Sequence, residues 1–198
     1  MKKEDFEWIC SRQDHNNKND LPRVLLIGDS ITRGYETIVS NRLRGAAYVD
    51  YVATSYSIDS KSYYSLIKSI CSYNKYDLVH FNNGLHGIHV SQKTYEKKLE
   101  KMLKLFDKSK VIMTLTTKLF YEGKNKFETT WFQRVDERNK IMIALSKKCD
   151  LSIDDLYTVS SGLKKEDLYG DGVHFSNSGY EILSDSVEKS IRENLGIQ

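Results

Sequence analysis

Two short segments, far apart in the chain, carry side chains that together could perform nucleophilic catalysis. Ser30 follows Gly28 and Asp29 at the end of an apolar run, and Asp171 precedes His174 near the other end of the chain. Serine needs a base to act as a nucleophile, and histidine is the usual one. A carboxylate three residues before a histidine can bond its Nδ1 and leave Nε2 free to face the serine.

Each segment also has a plain structural alternative. Ser30 could simply cap the next helix, and Asp171 and His174 could be a turn residue beside a surface histidine. The two segments together are more informative than either one. Gly28 allows a tight turn, and backbone N–H groups at the start of the following helix could stabilise an oxyanion beside Ser30.

The rest of the sequence predicts the elements that would position these side chains. Apolar runs predict strands at 24–28, 48–52, 77–81, 111–115 and 151–153. Helical spacing predicts helices at 35–44, 60–73, 93–106, 131–147 and 178–194, and Ser178 and Glu181 have the spacing of a capping box. Residues 116–130 are expected to form a long loop. Alternation of this kind predicts an α/β fold with a parallel five-stranded sheet between helix layers.

The predicted organisation is an N-terminal arm or helix at 1–20 and a single domain at 21–198. In an open parallel sheet, sites form where the strands end at their carboxyl edge. That edge would collect Ser30, the loop at 54–57, the loop at 82–87 and the long loop. The segment at 171–174 could fold back over the same edge.

The segments GDSIT at 28–32 and DGVH at 171–174 resemble the first and last conserved blocks of the SGNH/GDSL hydrolases. The resemblance spans residues 24–190 and implies a flavodoxin-like, three-layer α/β/α sandwich that cleaves esters. It also implies Ser30 as the nucleophile, His174 as general base and then acid, and Asp171 as the residue that orients His174. It implies no metal and no organic cofactor.

The middle blocks of the family fit this sequence less closely. The family has a glycine after strand two and G-x-N-D after strand three, and these join the nucleophile N–H in the oxyanion hole. Here the corresponding segments read ATSYS at 53–57 and NNGLHG at 82–87. The resemblance therefore implies an oxyanion hole built from the Ser30 N–H, from Ser55 in the glycine position, and from either His86 or Asn83. A histidine can donate one hydrogen bond in that role.

Further candidates have two readings each. Asp29 and Trp131 are candidate substrate-binding residues, although Asp29 can also hold the turn before Ser30. The aromatic group around Trp131 could form one wall of an acyl or sugar pocket or pack the core; its other members are Phe120, Tyr121, Phe127 and Phe132. Three histidines lie around the third strand, at positions 80, 86 and 89, but no clear third ligand accompanies them, so no metal site is predicted.

Composition excludes several classes of function. Hydrophobic residues make up 39% and charged residues 29% of the 198 residues, and the net charge is +3 without a basic block. We therefore expect no nucleic-acid partner and no membrane span. The acidic residues among the first ten do not fit a signal peptide, and the odd cysteine count (Cys10, Cys71, Cys149) does not fit a disulfide framework, so a cytoplasmic location is expected.

The expected function is a serine ester hydrolase for short-chain acyl esters, such as O-acetyl groups on a small molecule or an oligosaccharide. Two alternatives stay open. The same acyl-enzyme could pass its acyl group to another alcohol, as in an acyltransferase. The chain could also be a non-catalytic carbohydrate-binding protein on the same scaffold. The sequence gives no indication of the oligomeric state.

Overall fold

The fold is built around one mixed β-sheet. The computed structural model describes residues 4–120 and 126–198. Within these residues, six strands pair in the order β1-β3-β2-β4-β5-β6. They are β1 (Ile9–Arg12), β2 (Arg23–Gly28), β3 (Tyr48–Thr54), β4 (Leu78–Phe81), β5 (Lys110–Thr114) and β6 (Ser152–Asp154). Strands β2 to β6 are parallel, and β1 is antiparallel to β3 at the edge.

Helices cover both faces of the sheet. They are α1 (Ser30–Arg42), α2 (Lys61–Tyr73), α3 (Gln92–Leu103), α4 (Lys126–Cys149), α5 (Leu156–Ser161) and α6 (Asn177–Leu195). The apolar sides of α1, α5 and α6 share one core cluster, and those of α2, α3 and most of α4 share the other. The prediction of a three-layer α/β/α sandwich is confirmed. Two short 3₁₀ turns, Lys104–Phe106 and Lys165–Asp167, complete the chain order.

The apolar run that predicted the first core strand is buried on both faces. Along β2, Val24 and Leu26 pack into one core cluster, and Leu25 and Ile27 pack into the other. Successive side chains of a strand point to opposite faces. A strand between two helix layers therefore needs apolar residues at every position, which is why the run is continuous rather than alternating.

The prediction for residues 1–20 needs a correction, because part of this arm is a strand. Residues Ile9–Arg12 pair antiparallel with β3, with Ile9 opposite Thr54 and Arg12 opposite Tyr51. Their side chains are mostly exposed, so the sequence carries no strand-like alternation. The backbone groups of the β3 edge supply the pairing instead.

Several helix features differ from the predictions, and the first is that α1 begins at Ser30 instead of near residue 35. Helix α4 begins at Lys126, inside the predicted loop at 116–130, and the short α5 was not predicted. Helix α6 is capped by Ser176, whose side chain accepts from Gly179 N, so the predicted capping box at Ser178 is wrong. Ser178 instead donates to Asp167 Oδ1 at 2.7 Å. No helix in the described part of the chain has the length and apolarity to cross a membrane.

A buried ion pair fixes the N-terminal arm to the sheet. The side chains of Arg23 and Asp50 are 5% and 1% exposed, and Arg23 Nη1 lies 2.9 Å from Asp50 Oδ1. The same guanidinium donates to the carbonyls of Asp14, His15 and Lys18. One charged side chain at the start of β2 therefore holds three backbone carbonyls of the arm.

Replacement of Arg23 by methionine should destabilise the protein strongly, because it leaves Asp50 buried without its cation. Urea denaturation should show a loss of about 3 kcal/mol or more in the free energy of unfolding. Lys148→Met is the control, since both partners of the Lys148–Glu100 ion pair are exposed (67% and 39%); it should leave the free energy of unfolding nearly unchanged. Equal losses in the two variants would contradict this assignment.

Candidate active site

The turn between β2 and α1 presents Ser30 at the carboxyl edge of the sheet. Asp29 is the N-cap of α1, and its side chain accepts from Ile31 N at 2.9 Å. Ser30 is the first helical residue, where backbone N–H groups have no partner within the helix. A Cβ on Gly28 would lie 2.0 Å from Thr32 Oγ1. The tight packing of this turn therefore requires the glycine.

Asp29 holds the turn before α1. It is 5% exposed, and burial raises the pKa of its carboxyl, although the nearby His86 and His174 act in the opposite direction. The predicted substrate-binding role is therefore not supported by its position, because the side chain is turned into the protein to cap α1.

The structure brings together Ser30, His174 and Asp171. The Ser30 Oγ lies 2.8 Å from His174 Nε2, although 144 positions separate the two residues in sequence. On the other side of the ring, His174 Nδ1 lies 2.6 Å from Asp171 Oδ2. The hydroxyl, imidazole and carboxylate form one hydrogen-bonded chain with the geometry of a nucleophile, a base and its orienting acid.

A tight turn holds Asp171 against His174. Asp171 Oδ1 accepts from Val173 N at 2.9 Å and from His174 N at 2.8 Å. Gly172 has a φ of +81°, a left-handed conformation that favours glycine. Partial burial raises the pKa of Asp171, but the hydrogen bonds from His174 and Val173 outweigh it, so the pKa lies below its ordinary value. The carboxylate therefore stays ionised opposite His174.

Solvent reaches this chain of residues. The side chain of His174 is 37% exposed and that of Asp171 is 39% exposed. Ser30 itself is half-buried. A small molecule or a group on a larger substrate can therefore approach the Ser30 hydroxyl from outside.

Side chains of α4 hold the loop after β4 through hydrogen bonds to its backbone carbonyls. The guanidinium of Arg138 is buried and donates to the carbonyls of Gly84 (2.9 Å), His86 (2.7 Å) and Gly87 (2.6 Å). Arg134 Nε donates to the Ile88 carbonyl at 3.0 Å. These contacts turn the carbonyl groups of the loop toward α4.

Trp131 lies on the same face of α4 as Arg134 and Arg138. Its Nε1–H donates to the Leu85 carbonyl at 2.8 Å, and its ring packs against the core cluster of α1 and α6. The alternative of core packing therefore describes Trp131 better than a substrate wall. Phe120 and Phe132 pack against the same cluster, and Tyr121 and the Phe127 side chain lie outside the described residues.

Arg134 and Arg138, which share one face of α4 with Trp131, were not predicted from the sequence as residues of the site. These residues are three and seven positions apart, a spacing that places them on one face of a helix. That spacing was a usable signal, but nothing in the sequence indicated which loop they would hold. Desolvation by burial lowers the pKa of Arg138 below its ordinary value.

The predicted oxyanion groups have different surroundings. The Ser55 N–H donates to the Trp8 carbonyl at 3.3 Å, and Ser55 Oγ accepts from Trp8 N at 2.9 Å. Pairing with the N-terminal segment thus occupies Ser55, which corrects its predicted role. The Asn83 amide donates to the Tyr56 carbonyl at 3.2 Å.

His86 differs from the other candidates. Its Nδ1 lies 3.0 Å from a carboxylate oxygen of Glu4, and its Nε2 is buried without a hydrogen-bond partner among the described residues. Of the two alternatives from the sequence, His86 has a ring nitrogen with no partner among the described residues, whereas one N–H of the Asn83 amide is bonded to the Tyr56 carbonyl.

The other histidines near β4 have separate partners. His80 lies within β4, and its Nε2 is 2.9 Å from both Asp154 Oδ2 and Thr114 Oγ1. His89 Nε2 is 3.6 Å from Asp59 Oδ2. In residues 4–120 and 126–198, no group of three or more histidine, cysteine or acidic residues is arranged to hold a metal ion.

Comparison with known proteins identifies the fold. No family model matches the sequence, and no curated protein matches it. Solved structures do match. A member of the lipolytic G-D-S-L family from Veillonella parvula is 19% identical with a TM-score of 0.67, over 84% of this chain and 96% of that chain.

Two further structures have named activities. An acetyl xylan esterase from Geobacillus stearothermophilus is 16% identical with a TM-score of 0.68, over 89% of this chain and 95% of that chain. The catalytic domain of peptidoglycan O-acetyltransferase A from Streptococcus pneumoniae is also 16% identical with a TM-score of 0.68, over 89% and 96% of the two chains. The chain therefore has the SGNH hydrolase fold.

Arg138→Met should release the loop after β4, because three carbonyl groups lose their common donor. Hydrogen exchange followed by mass spectrometry should show faster exchange in residues 84–90 and a loss of about 2 kcal/mol or more in unfolding free energy. Arg134→Met is the matched control on the same helix face, and it removes one carbonyl contact. Unchanged exchange in Arg138→Met would show that the guanidinium does not hold the loop.

Proposed function

We propose that this protein is a serine ester hydrolase that acts on short acyl esters. The observation that carries the proposal is the chain of contacts from Ser30 Oγ to His174 Nε2 (2.8 Å) and from His174 Nδ1 to Asp171 Oδ2 (2.6 Å). The fold shared with structures named as an esterase and as an O-acetyltransferase supports the same class of chemistry.

In the first half of the reaction, Ser30 Oγ attacks the ester carbonyl and forms a new C–O bond. Its proton moves to His174 Nε2, and the electron pair of the carbonyl moves onto the oxygen. Asp171 accepts from His174 Nδ1 and stabilises the imidazolium that forms. The tetrahedral species collapses when the ester C–O bond breaks and His174 gives its proton to the leaving alcohol.

In the second half, water takes the place of the alcohol. His174 removes a proton from water, which attacks the acyl-enzyme carbonyl. Collapse breaks the bond to Ser30, and the proton on His174 returns to its Oγ, so the enzyme is regenerated. The 37% exposure of the His174 side chain gives water access to this base.

The oxyanion needs donors at both stages. The Ser30 N–H is one, because it lies at the start of α1, where the helix dipole also favours negative charge. His86 is the second, because its Nε2 is the buried ring nitrogen without a partner among the described residues. Ser55 is left out, since its N–H is paired with Trp8.

Ser30→Ala and His174→Ala should each reduce the hydrolysis of p-nitrophenyl acetate by at least about 10³-fold, because each removes a member of the reacting chain. The rate is measured above an enzyme-free blank. Ser62→Ala, a surface serine on α2, is the control and should keep wild-type activity. In addition, phenylmethylsulfonyl fluoride should label the wild type but not Ser30→Ala, as seen by intact mass.

Two outcomes would count against the proposal. Full activity of Ser30→Ala would remove Ser30 as nucleophile. A wild type that never exceeds the blank on any short ester, and is not labelled, would instead favour a non-catalytic carbohydrate-binding protein on this scaffold.

For the substrate, we propose O-acetyl groups on carbohydrates. The support is the acetylated sugar polymers in the names of the esterase and the O-acetyltransferase that share the fold. The sequence also has no long apolar segment that could serve as a lid for lipid chains. No cofactor enters this chemistry.

The acyl-chain preference tests this substrate class. We expect kcat/KM for p-nitrophenyl acetate to exceed that for the decanoate by about tenfold or more, because the proposed site binds a small acyl group. A preference for decanoate would contradict it. The same incubations with added xylose should yield free acetate; accumulation of acetylated xylose would identify an acyltransferase instead.

A further inference from the structure

The N-terminal segment runs along the carboxyl edge of the sheet and reaches the candidate site. β1 pairs with β3, and next to it Trp8 is bound by Thr54 and Ser55, with Thr54 Oγ1 donating to the Trp8 carbonyl at 2.7 Å. Four residues earlier, Glu4 meets the loop after β4. The segment therefore brings a carboxylate from the start of the chain to the loop after β4.

Glu4 makes a specific contact with His86 rather than a general surface interaction. Its two carboxylate oxygens lie 3.1 and 3.0 Å from His86 Nδ1. The Gly87 N–H donates to Glu4 Oε1 at 3.2 Å. On the other side, the His86 carbonyl accepts from buried Arg138. The imidazole is therefore held at the backbone and at Nδ1, and its side chain is 16% exposed.

We propose that Glu4 is a positioning residue that keeps His86 doubly protonated, so that His86 Nε2–H donates to the oxyanion formed at Ser30. This inference rests on the proposed function, because the oxyanion exists only if Ser30 attacks an ester. It adds a second acid–histidine pair to the Ser30–His174–Asp171 chain.

The charge of Glu4 matters because it decides how many ring nitrogens of His86 carry a proton. A neutral histidine carries one N–H, and a carboxylate at Nδ1 fixes that proton on Nδ1. Nε2 of the neutral ring would then present a lone pair, which repels an oxyanion. Only the imidazolium has a proton on both nitrogens. His86 can therefore serve as donor only while Glu4 keeps it charged.

The surroundings of His86 favour the charged form. Burial lowers the pKa of His86, but the Glu4 hydrogen bond and the negative charges of Asp29 and Glu4 outweigh it, so the pKa lies above its ordinary value despite opposition from Arg138. Burial likewise raises the pKa of Glu4, and His86, Gly87 N–H and His89 outweigh this, so it is lowered. Both shifts favour the ionised pair.

The raised pKa of His86 sets the direction in which activity should change with pH. A raised pKa means that the imidazolium persists to higher pH and is lost as pH rises through it. Activity should therefore fall on the alkaline side, where His86 loses its proton. Glu4→Gln retains an acceptor for Nδ1–H and Gly87 N–H but removes the charge, so its alkaline limb should move to lower pH.

The direct test is an NMR titration of the His86 ring in the Ser30→Ala background, with and without Glu4→Gln. We expect His86 to lose its proton at lower pH when Glu4 is glutamine. Asp5→Asn, an exposed acid in the same segment, is the matched control and should leave the His86 titration in place. An unmoved His86 titration in Glu4→Gln overturns the inference, whether or not the protein is an esterase.

Kinetics test the catalytic part, with acetate release from glyceryl triacetate followed in a pH-stat. His86→Ala should lower kcat by about 10²-fold with a smaller change in KM. The neutral amide of His86→Asn donates at any pH, so the activity of this variant should no longer fall at high pH. Adding Glu4→Gln to His86→Asn should then have no further effect on the pH profile.

The outcomes separate the two proposals. If the wild type hydrolyses esters through Ser30 but Glu4→Gln keeps the wild-type alkaline limb, only the role of Glu4 is overturned. If Glu4→Gln lowers activity equally at every pH, its role is structural and the inference fails. If the wild type has no ester hydrolysis, the proposed function fails, and the catalytic role of His86 fails with it.

Discussion

The parallel pairing of β2 with both β3 and β4 is the constraint on which the candidate site depends. Because parallel strands end at the same edge, the turn after β2 and the loops after β3 and β4 must converge. For this reason Ser30 and the loop that contains His86 lie at the same edge of the sheet. The apolar run of β2 can lie at the centre of the sheet only because both of its faces are covered by helices.

Two elements outside the parallel strands complete the site. The stripe of α4 that contains Arg138 holds the loop after β4 through its carbonyl groups. The N-terminal segment brings Glu4 to the imidazole of the same loop. The buried Arg138 guanidinium and the exposed Glu4 carboxylate thus both hold His86, and neither belongs to the two motifs that are visible in the sequence.

The central part of the fold could be predicted because its signals are local. A run such as 24–28 can bury all its side chains only in a covered strand, and helical stripes identify the layers. β1 could not be found in this way, because its side chains are mostly exposed and its stabilising hydrogen bonds go to the backbone of β3. The predicted cap of α6 was wrong because Ser176 and Ser178 both have a sequence context that suits a helix cap. In the structure Ser176 caps the helix, and the hydroxyl of Ser178 bonds to Asp167 instead.

The sequence by itself determined the three-layer fold and the residue types at the site, since Asp171 and His174 share one turn and Ser30 follows a buried strand. Only the tertiary structure decided that Ser30 Oγ and His174 Nε2 meet, because 144 positions separate them. It also decided that Ser55 forms a hydrogen bond with Trp8 and that His86 forms one with Glu4. Such long-range pairings depend on how strands and loops pack in three dimensions, and no local pattern records them.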